Sequence, residues 1–237
     1  MDIILPPDWF LNVDILIGGI SFFIILLFSI LCIKNYRVNK DKKFLNLGAG
    51  FGMVALAQLI ITIAKIIVFY DISFIGIGDE IPQNILGIIT SVSAIGLFLF
   101  RISILFGLYI VYKTPRKIIE RDSLLILYLL VIVTLLSEGA VHLFHITAFA
   151  ILLLMIAKYY DVYRKNKSRG TFILMLAFFE LAVSNVIFIF ARTTSMVYIT
   201  ASIIELASYI TLLVLIIMIL EHGKKYSKKK KQNGYNL

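Results

Sequence analysis

Residues 36–42 read YRVNKDK and residues 163–169 read YRKNKSR, so the pattern Tyr-Arg-x-Asn-Lys-x-basic is written twice, 127 positions apart. Each copy separates two long apolar runs. Extending the same offset without gaps places Leu16, Phe22, Ile24, Leu26 and Leu27 on Leu143, Phe149, Ile151, Leu153 and Leu154. It also places Leu47, Phe51, Ala55, Ile60 and Ala64 on Leu174, Phe178, Ala182, Ile187 and Ala191. Gln58 meets Asn185 and Lys65 meets Arg192. Two unrelated apolar helices agree at Leu and Ile by chance, but a matched polar loop, an amide pair and a basic pair are not expected that way. The two segments read as copies of one unit.

The surrounding composition sets the solvent. Of 237 residues, 60% are hydrophobic and 16% charged, against about 45–50% and about 25% in an ordinary soluble domain. The excess lies in runs of the length that crosses a hydrocarbon core of about 30 Å as a helix. Seven such segments are predicted, at 13–34, 44–70, 84–112, 123–138, 140–159, 171–191 and 197–220. They use nearly the whole chain and leave no room for a soluble domain. The first fourteen residues hold three Asp and no Lys or Arg, which predicts no cleavable leader. Cys32 is the only cysteine, so no intrachain disulfide can form.

Charge assigns the sides. The segments 34–43, 113–122, 158–169 and 221–237 hold 20 of the 23 Lys and Arg residues, and the cytoplasmic flanks of membrane spans carry this excess. The opposite side holds Arg192, together with Asp2, Asp8, Asp14, Asp71, Asp79, Glu80 and Glu138. The fourth and fifth runs are almost continuous, yet both of their outer ends are basic. A hairpin at Ser137-Glu138-Gly139 resolves this. The expectation is therefore an all-α, polytopic, multi-pass protein of the cell membrane with seven transmembrane helices, its N-terminus outside and its C-terminus cytoplasmic. The plan is a parallel 3+1+3 internal repeat: residues 1–112 as the first three-helix repeat, 113–139 as linker helix 4, 140–222 as the second repeat and 223–237 as a basic tail. ITSVSAIG at 89–96 against ITASIIEL at 199–206 extends the match to the third and seventh segments. Parallel repeats of this kind set a pseudo-two-fold axis along the membrane normal, and binding sites lie where the repeats meet.

Ionisable side chains within such spans are expensive, at about 2.5–3.5 kcal/mol each at the helix centre, and face protein or water. Arg101 and Glu180 fall at similar depth, which predicts an ion pair. Glu205 falls near Lys65 and Arg192 in depth, which predicts a second pair. Tyr198, Ser202, Glu205 and Tyr209 are spaced 4, 3 and 4, one face of a helix. Ser184 follows Glu180 by four residues, and Gln58 and Asn185 occupy matching mid-span positions. Gln58, Arg101, Glu180, Ser184, Asn185, Ser202, Glu205 and Tyr209 are the candidate substrate-binding residues. The alternative is structural pairing that holds the helices together.

Glu138, His142 and His145 are spaced 4 and 3, a pattern open to a divalent metal, although Glu138 lies at the turn and a fourth ligand is not evident. GAGFG at 48–52 is no phosphate loop, because it sits inside an apolar helix with no preceding strand. Gly48 and Gly52 read as a small-xxx-small packing pair. The tail KKYSKKKK suits anionic lipid headgroups, and the basic inner face suits a protein partner. Nothing in the sequence calls for a cofactor or for nucleic acid.

The basic inner loop followed by FLNLGAGFGMVALAQLI, echoed by TFILMLAFFELAVSNVIFIFAR, resembles uncharacterised seven-helix integral membrane proteins of archaeal type, a resemblance that implies a fold and no activity. The 3+1+3 plan is similar to that of SWEET and PQ-loop sugar transporters. The one Pro-Gln pair, Pro82-Gln83, is not repeated, and their proline hinges are missing. A further similarity is to the seven-helix sensor region of some histidine kinases, without a kinase domain. The first reading is a small-solute transporter or permease-like protein with a polar site between the repeats. The second is a membrane sensor or assembly module acting through the inner loops. The third is a metal-dependent membrane enzyme at the Glu138 group.

Overall fold

The computed structural model describes residues 8–75, 83–114, 131–136, 141–191 and 194–233. All of the secondary structure among them is helical: α1 (Asp8–Asn39), α2 (Lys42–Ile75), α3 (Gln83–Lys113), a helical stretch α4 at 131–136, α5 (Val141–Asn166), α6 (Arg169–Ile189) and α7 (Ser195–Asn233). Six of these are long and apolar enough to cross a membrane. Large apolar side chains cover the exterior, with Phe23, Leu16 and Phe179 all more than half exposed, as lipid-facing positions are. The predicted hairpin at 137–139 lies outside the described residues.

The repeated heptads prove to be helix stops. Lys40 and Lys167 have φ of 55° and 46°, in the left-handed region, and are the only non-glycine residues of positive φ among those described. The amide of Lys40 donates to the Tyr36 carbonyl at 2.8 Å, and that of Lys167 to the Tyr163 carbonyl at 2.7 Å. This is the left-handed C-terminal cap, in which the residue just past the helix bonds back over one turn. Asp41 then begins α2, its Oδ1 accepting from the Lys43 amide at 3.0 Å, a side-chain N-cap. Ser168 occupies the matching place before α6 but makes no such bond. Two helices outrun the apolar segments: α1 starts five residues before position 13, and α7 continues through the basic tail.

The helices close into a ring in which α1 touches α2, α2 touches α3, α3 touches α5, α5 touches α6, α6 touches α7, and α7 returns to α1. Directions follow from side-chain contacts. Asp14 near the start of α1 meets Tyr198 near the start of α7, so these two run parallel. Phe100 packs on Phe144 and Lys158 on Tyr112, so α3 and α5 are parallel as well. The chain between α3 and α5 therefore returns from one end of the bundle to the other. One core fills the ring, built on Ile25, Phe28, Leu105, Leu152, Met155, Phe178, Leu212 and Ile216. Phe51 and Phe178 stack on each other at its centre, ring centroids 6.2 Å apart and planes 13° apart.

Glycine sets the tightest contacts. A Cβ on Gly50 would stand 2.8 Å from the Gly107 carbonyl, and one on Gly107 would stand 2.8 Å from the Gly50 carbonyl. Backbone therefore meets backbone where α2 crosses α3. Gly48 packs instead against α1, and Ser29 Oγ donates to its carbonyl at 2.7 Å. Gly52, the other member of the expected pair, also faces Ser29 of α1, whereas Gly50 between them faces α3.

Candidate functional site

In the seam where α1, α2 and α7 meet, each helix contributes a polar stripe with spacing 4 and 3. These are Asp14, Gly18 and Ser21 on α1, Lys65, Thr62 and Gln58 on α2, and Tyr198, Ser202 and Glu205 on α7. At about 1.5 Å per residue the stripes extend about 10 Å. Because α2 runs opposite to the other two, the stripes meet in three layers.

The first layer is an ion pair. Lys65 Nζ lies 2.6 Å from Asp14 Oδ2, with the lysine side chain 30% exposed and the aspartate side chain 4%. Lys65 also donates to Tyr198 Oη at 3.2 Å, and Tyr198 donates to Asp14 Oδ2 at 3.0 Å. In the second layer Thr62 presses on Gly18, where a Cβ would run into the Thr62 hydroxyl. Ser202 Oγ donates to the Tyr198 carbonyl at 3.0 Å. The third layer centres on Glu205, whose Oε1 accepts from Gln58 Nε2 at 3.0 Å and from Tyr209 Oη at 2.8 Å. Gln58 Nε2 lies 3.0 Å from Tyr209 Oη as well, closing a triangle.

Two features of this seam are unusual. Both carboxylates are bonded through a single oxygen, Asp14 by Oδ2 and Glu205 by Oε1. In addition, Ser21 Oγ and Thr62 Oγ1 are buried with no hydrogen-bond partner among the described residues. A buried hydroxyl left unsatisfied costs about 1–3 kcal/mol.

The opposite seam, between α3, α5 and α6, holds Arg101, His145 and Asn185. Arg101 is buried. The His145 ring stacks on Phe188 with centroids 5.1 Å apart. Its Nδ1 lies 3.1 Å from Asn185 Oδ1, while Asn185 Nδ2 donates to the Leu181 carbonyl at 2.9 Å. The amide oxygen is thereby the acceptor, and His145 carries its proton on Nδ1. Gln58 and Asn185, matched in the sequence, thus serve different seams.

Several expectations change. Lys65 pairs with Asp14 and not with Glu205, because α1 begins early enough to carry Asp14 more than a turn into the bundle, level with Lys65. Glu180 receives Thr211 Oγ1 at 2.8 Å and does not meet Arg101, since α5 stands between α3 and α6 in the ring. Ser184 donates to the Ala201 carbonyl at 3.0 Å, tying α6 to α7. Arg192 and Glu138 lie outside the described residues. Among the described residues no three His, Cys, Asp or Glu side chains come together as a metal site. Asp14, Ser21 and Thr62 were not expected in the site. Their signal was available, since 14, 18 and 21 repeat the spacing of the α7 stripe. No family model, curated protein or solved structure matches the chain.

Proposed function

We propose that the chain is a carrier for a small polar solute, built from two like-facing three-helix halves whose seam at α1, α2 and α7 holds the site. The observation carrying this reading is that residues of the two halves bond each other in two groups along one seam: Asp14 and Lys65 with Tyr198, and Gln58 with Glu205 and Tyr209. Groups this costly in lipid are placed where relative movement of the halves would expose them. The seam offers carboxylate, ammonium, amide and phenol groups, a set suited to a solute with several polar atoms.

Four features support the two-half plan. The stops at Lys40 and Lys167 share one backbone geometry at the 127-residue offset. Burial follows the offset, with Ile24, Ile25, Phe28 and Ala55 matched by Ile151, Leu152, Met155 and Ala182. The order of contacts around the ring reads the same when α1, α2 and α3 are replaced by α5, α6 and α7. Phe51 and Phe178, equivalent under the offset, stack on one another, as side chains on a pseudo-two-fold axis do.

The excess of Lys and Arg in loops 34–43 and 158–169 supports an orientation with the stops at the cytoplasmic face, the start of α1 outside and the end of α7 inside the cell membrane. Uptake of radiolabelled amino acids and sugars into proteoliposomes tests the function. Glu205→Ala is expected to abolish uptake while the protein keeps its helical content and elutes as the unaltered chain does. A protein that moves none of these solutes, and in which Glu205→Ala only lowers the melting temperature, would make the seam a structural clasp.

A second reading has one observation in its favour. α7 stays helical to Asn233, 13 residues past the end of its apolar span at Leu220, or about 20 Å. That carries the basic tail away from the bundle, a placement suited to a cytoplasmic partner in a sensor or assembly role. Loss of a co-purifying partner on truncation at Leu220 would favour it, and attraction of the tail to anionic vesicles alone would count against it.

A further inference from the structure

Two acids in the interior of the spans, Glu180 and Glu205, have no cation among the described residues, whereas Asp14 has Lys65 at 2.6 Å. Glu205 Oε1 accepts from two neutral donors, Gln58 Nε2 at 3.0 Å and Tyr209 Oη at 2.8 Å. Lys65 stands seven residues from Gln58 on α2, about 10 Å along the helix, and is already matched by Asp14 of α1. On α7 itself the nearest ionisable groups are phenols, Tyr209 and Tyr198, the latter donating to Asp14. On α6 the facing group is another acid, Glu180, whose Oε2 takes the Thr211 hydroxyl. Arg101 and His145 belong to the opposite seam.

The hydrogen bonds of Glu205 suit the acid better than the ion. A carboxylate accepts on both oxygens, whereas a carboxylic acid accepts on its carbonyl oxygen and donates from the other. Glu205 takes both of its bonds on Oε1, and no described residue donates to Oε2. With Oε1 as the carbonyl and a proton on Oε2, both observed bonds are made and no charge is left over. As an ion the side chain would be an unmatched charge among apolar helices, and a group so placed neutralises instead of ionising. Position then separates Glu205 from Glu180. Thr211 bonds Glu180 from within the same half. Gln58 bonds Glu205 from the other half, so parting of the halves breaks that bond and uncovers Glu205.

We propose that Glu205 is a proton-binding site and that the proton is the coupling ion of the carrier. With the seam closed, the proton stays on Oε2. When α7 parts from α1 and α2, the bond between Oε2 and hydrogen breaks, the electron pair stays on the carboxylate, and the proton passes to water. Closing the seam again requires a proton back on Oε2, taken from the side to which the seam is then open. The coupling rests on the carrier reading, and the proton on Glu205 does not.

The test is infrared spectroscopy of the purified full chain in lipid at neutral pH, read at the carboxylic C=O stretch, which an ionised carboxylate lacks. The spectrum of the unaltered chain minus that of Glu205→Gln is expected to show one such band, moving to lower frequency in heavy water. Gln has the shape and charge of the neutral acid and keeps a carbonyl for Gln58 and Tyr209. Tyr209→Phe removes one of the two donors to Oε1 and is expected to move the band to higher frequency, which assigns it even where Glu205→Gln does not fold. Glu180→Gln is expected to leave the band in place. Carboxylate bands in the difference spectrum instead of the C=O stretch would overturn the proposal. So would a band that Glu180→Gln removes, or one that Tyr209→Phe does not move. In proteoliposomes, an inward proton gradient is expected to raise uptake of the carried solute several-fold, and a protonophore to abolish that rise. Uptake indifferent to the gradient overturns the coupling and leaves the carrier reading standing. The assigned band without uptake of any solute keeps the proton site and removes the carrier.

Discussion

At the scale of single residues, the pairing of Lys65 decides how the outer end of the bundle is held. Its partner is Asp14, so replacing Lys65 strands a buried carboxylate. Lys65→Met is expected to destabilise the protein by about 3–5 kcal/mol, the usual cost of breaking such a pair from one side. Adding Asp14→Asn should recover most of that loss, whereas adding Glu205→Gln should not. Chemical unfolding of the three variants in detergent measures this, and rescue by Glu205→Gln would instead restore the pairing that depth alone suggests. Depth along helices was legible in the sequence, which is why Glu205 was expected level with Lys65. Direction around the helix axis was not. An error of one residue in where α1 begins turns Asp14 by about 100°, enough to move it between lipid and seam. The spacing put Ser21 and Thr62 on the polar faces, but that their hydroxyls lack partners was not legible, for another reason. Ser and Thr inside an apolar helix normally bond their own backbone, so nothing in the sequence distinguishes Ser21 from Ser202.

Between residues and the bundle stand the helix ends, and here the sequence was most informative. The heptad after the first helix of each proposed half proves to be a stopping signal, with Tyr four places before a Lys in the left-handed conformation. A side chain there costs about 1–2 kcal/mol relative to the right-handed region, and glycine has no such cost. Lys40→Gly and Lys167→Gly are therefore each expected to raise stability by about 0.5–1 kcal/mol after the added freedom of the unfolded chain is taken into account. The gains should be similar, because the two stops are alike. A gain at one site and a loss at the other, read from melting temperatures, would separate the two turns. Their N-caps are not alike: Asp41→Ala should cost about 1 kcal/mol, and Ser168→Ala, which removes no bond, close to nothing. The crossing of α2 and α3 adds a sterner case. Gly107→Val would force a branched side chain against the Gly50 carbonyl, so the helices must part. Loss of cooperative unfolding is the expected outcome. The stripe GAGFG announced tight packing, but which neighbour each glycine touches depended on the ring order, and local sequence does not contain that.

For the whole molecule the issue is whether one half can be laid on the other by rotation about an axis through the membrane. Burial of matching positions, shared turns and the stacking of Phe51 on Phe178 all follow if it can, and each would otherwise be a separate coincidence. The polar groups do not follow the symmetry. One seam is acidic, with Asp14 and Glu205, and the other holds Arg101 and His145. On the proposed duplication, packing would be retained in both copies while chemistry diverged where the halves meet. Like-facing halves make a prediction that unlike-facing ones do not. Lys40 and Lys167 must lie on the same side of the membrane, with the start of α1 on the other. Cys32 is buried, so single cysteines introduced at these exposed positions report without interference. In sealed vesicles of known orientation, Lys40→Cys and Lys167→Cys should both react with a membrane-impermeant maleimide applied from the cytoplasmic side, and neither from outside. A cysteine at Trp9, at the start of α1, should show the opposite pattern. If Lys40→Cys and Lys167→Cys are labelled from opposite sides, the halves are inverted, and neither a vertical pseudo-two-fold axis nor parallel α1 and α7 could survive that result.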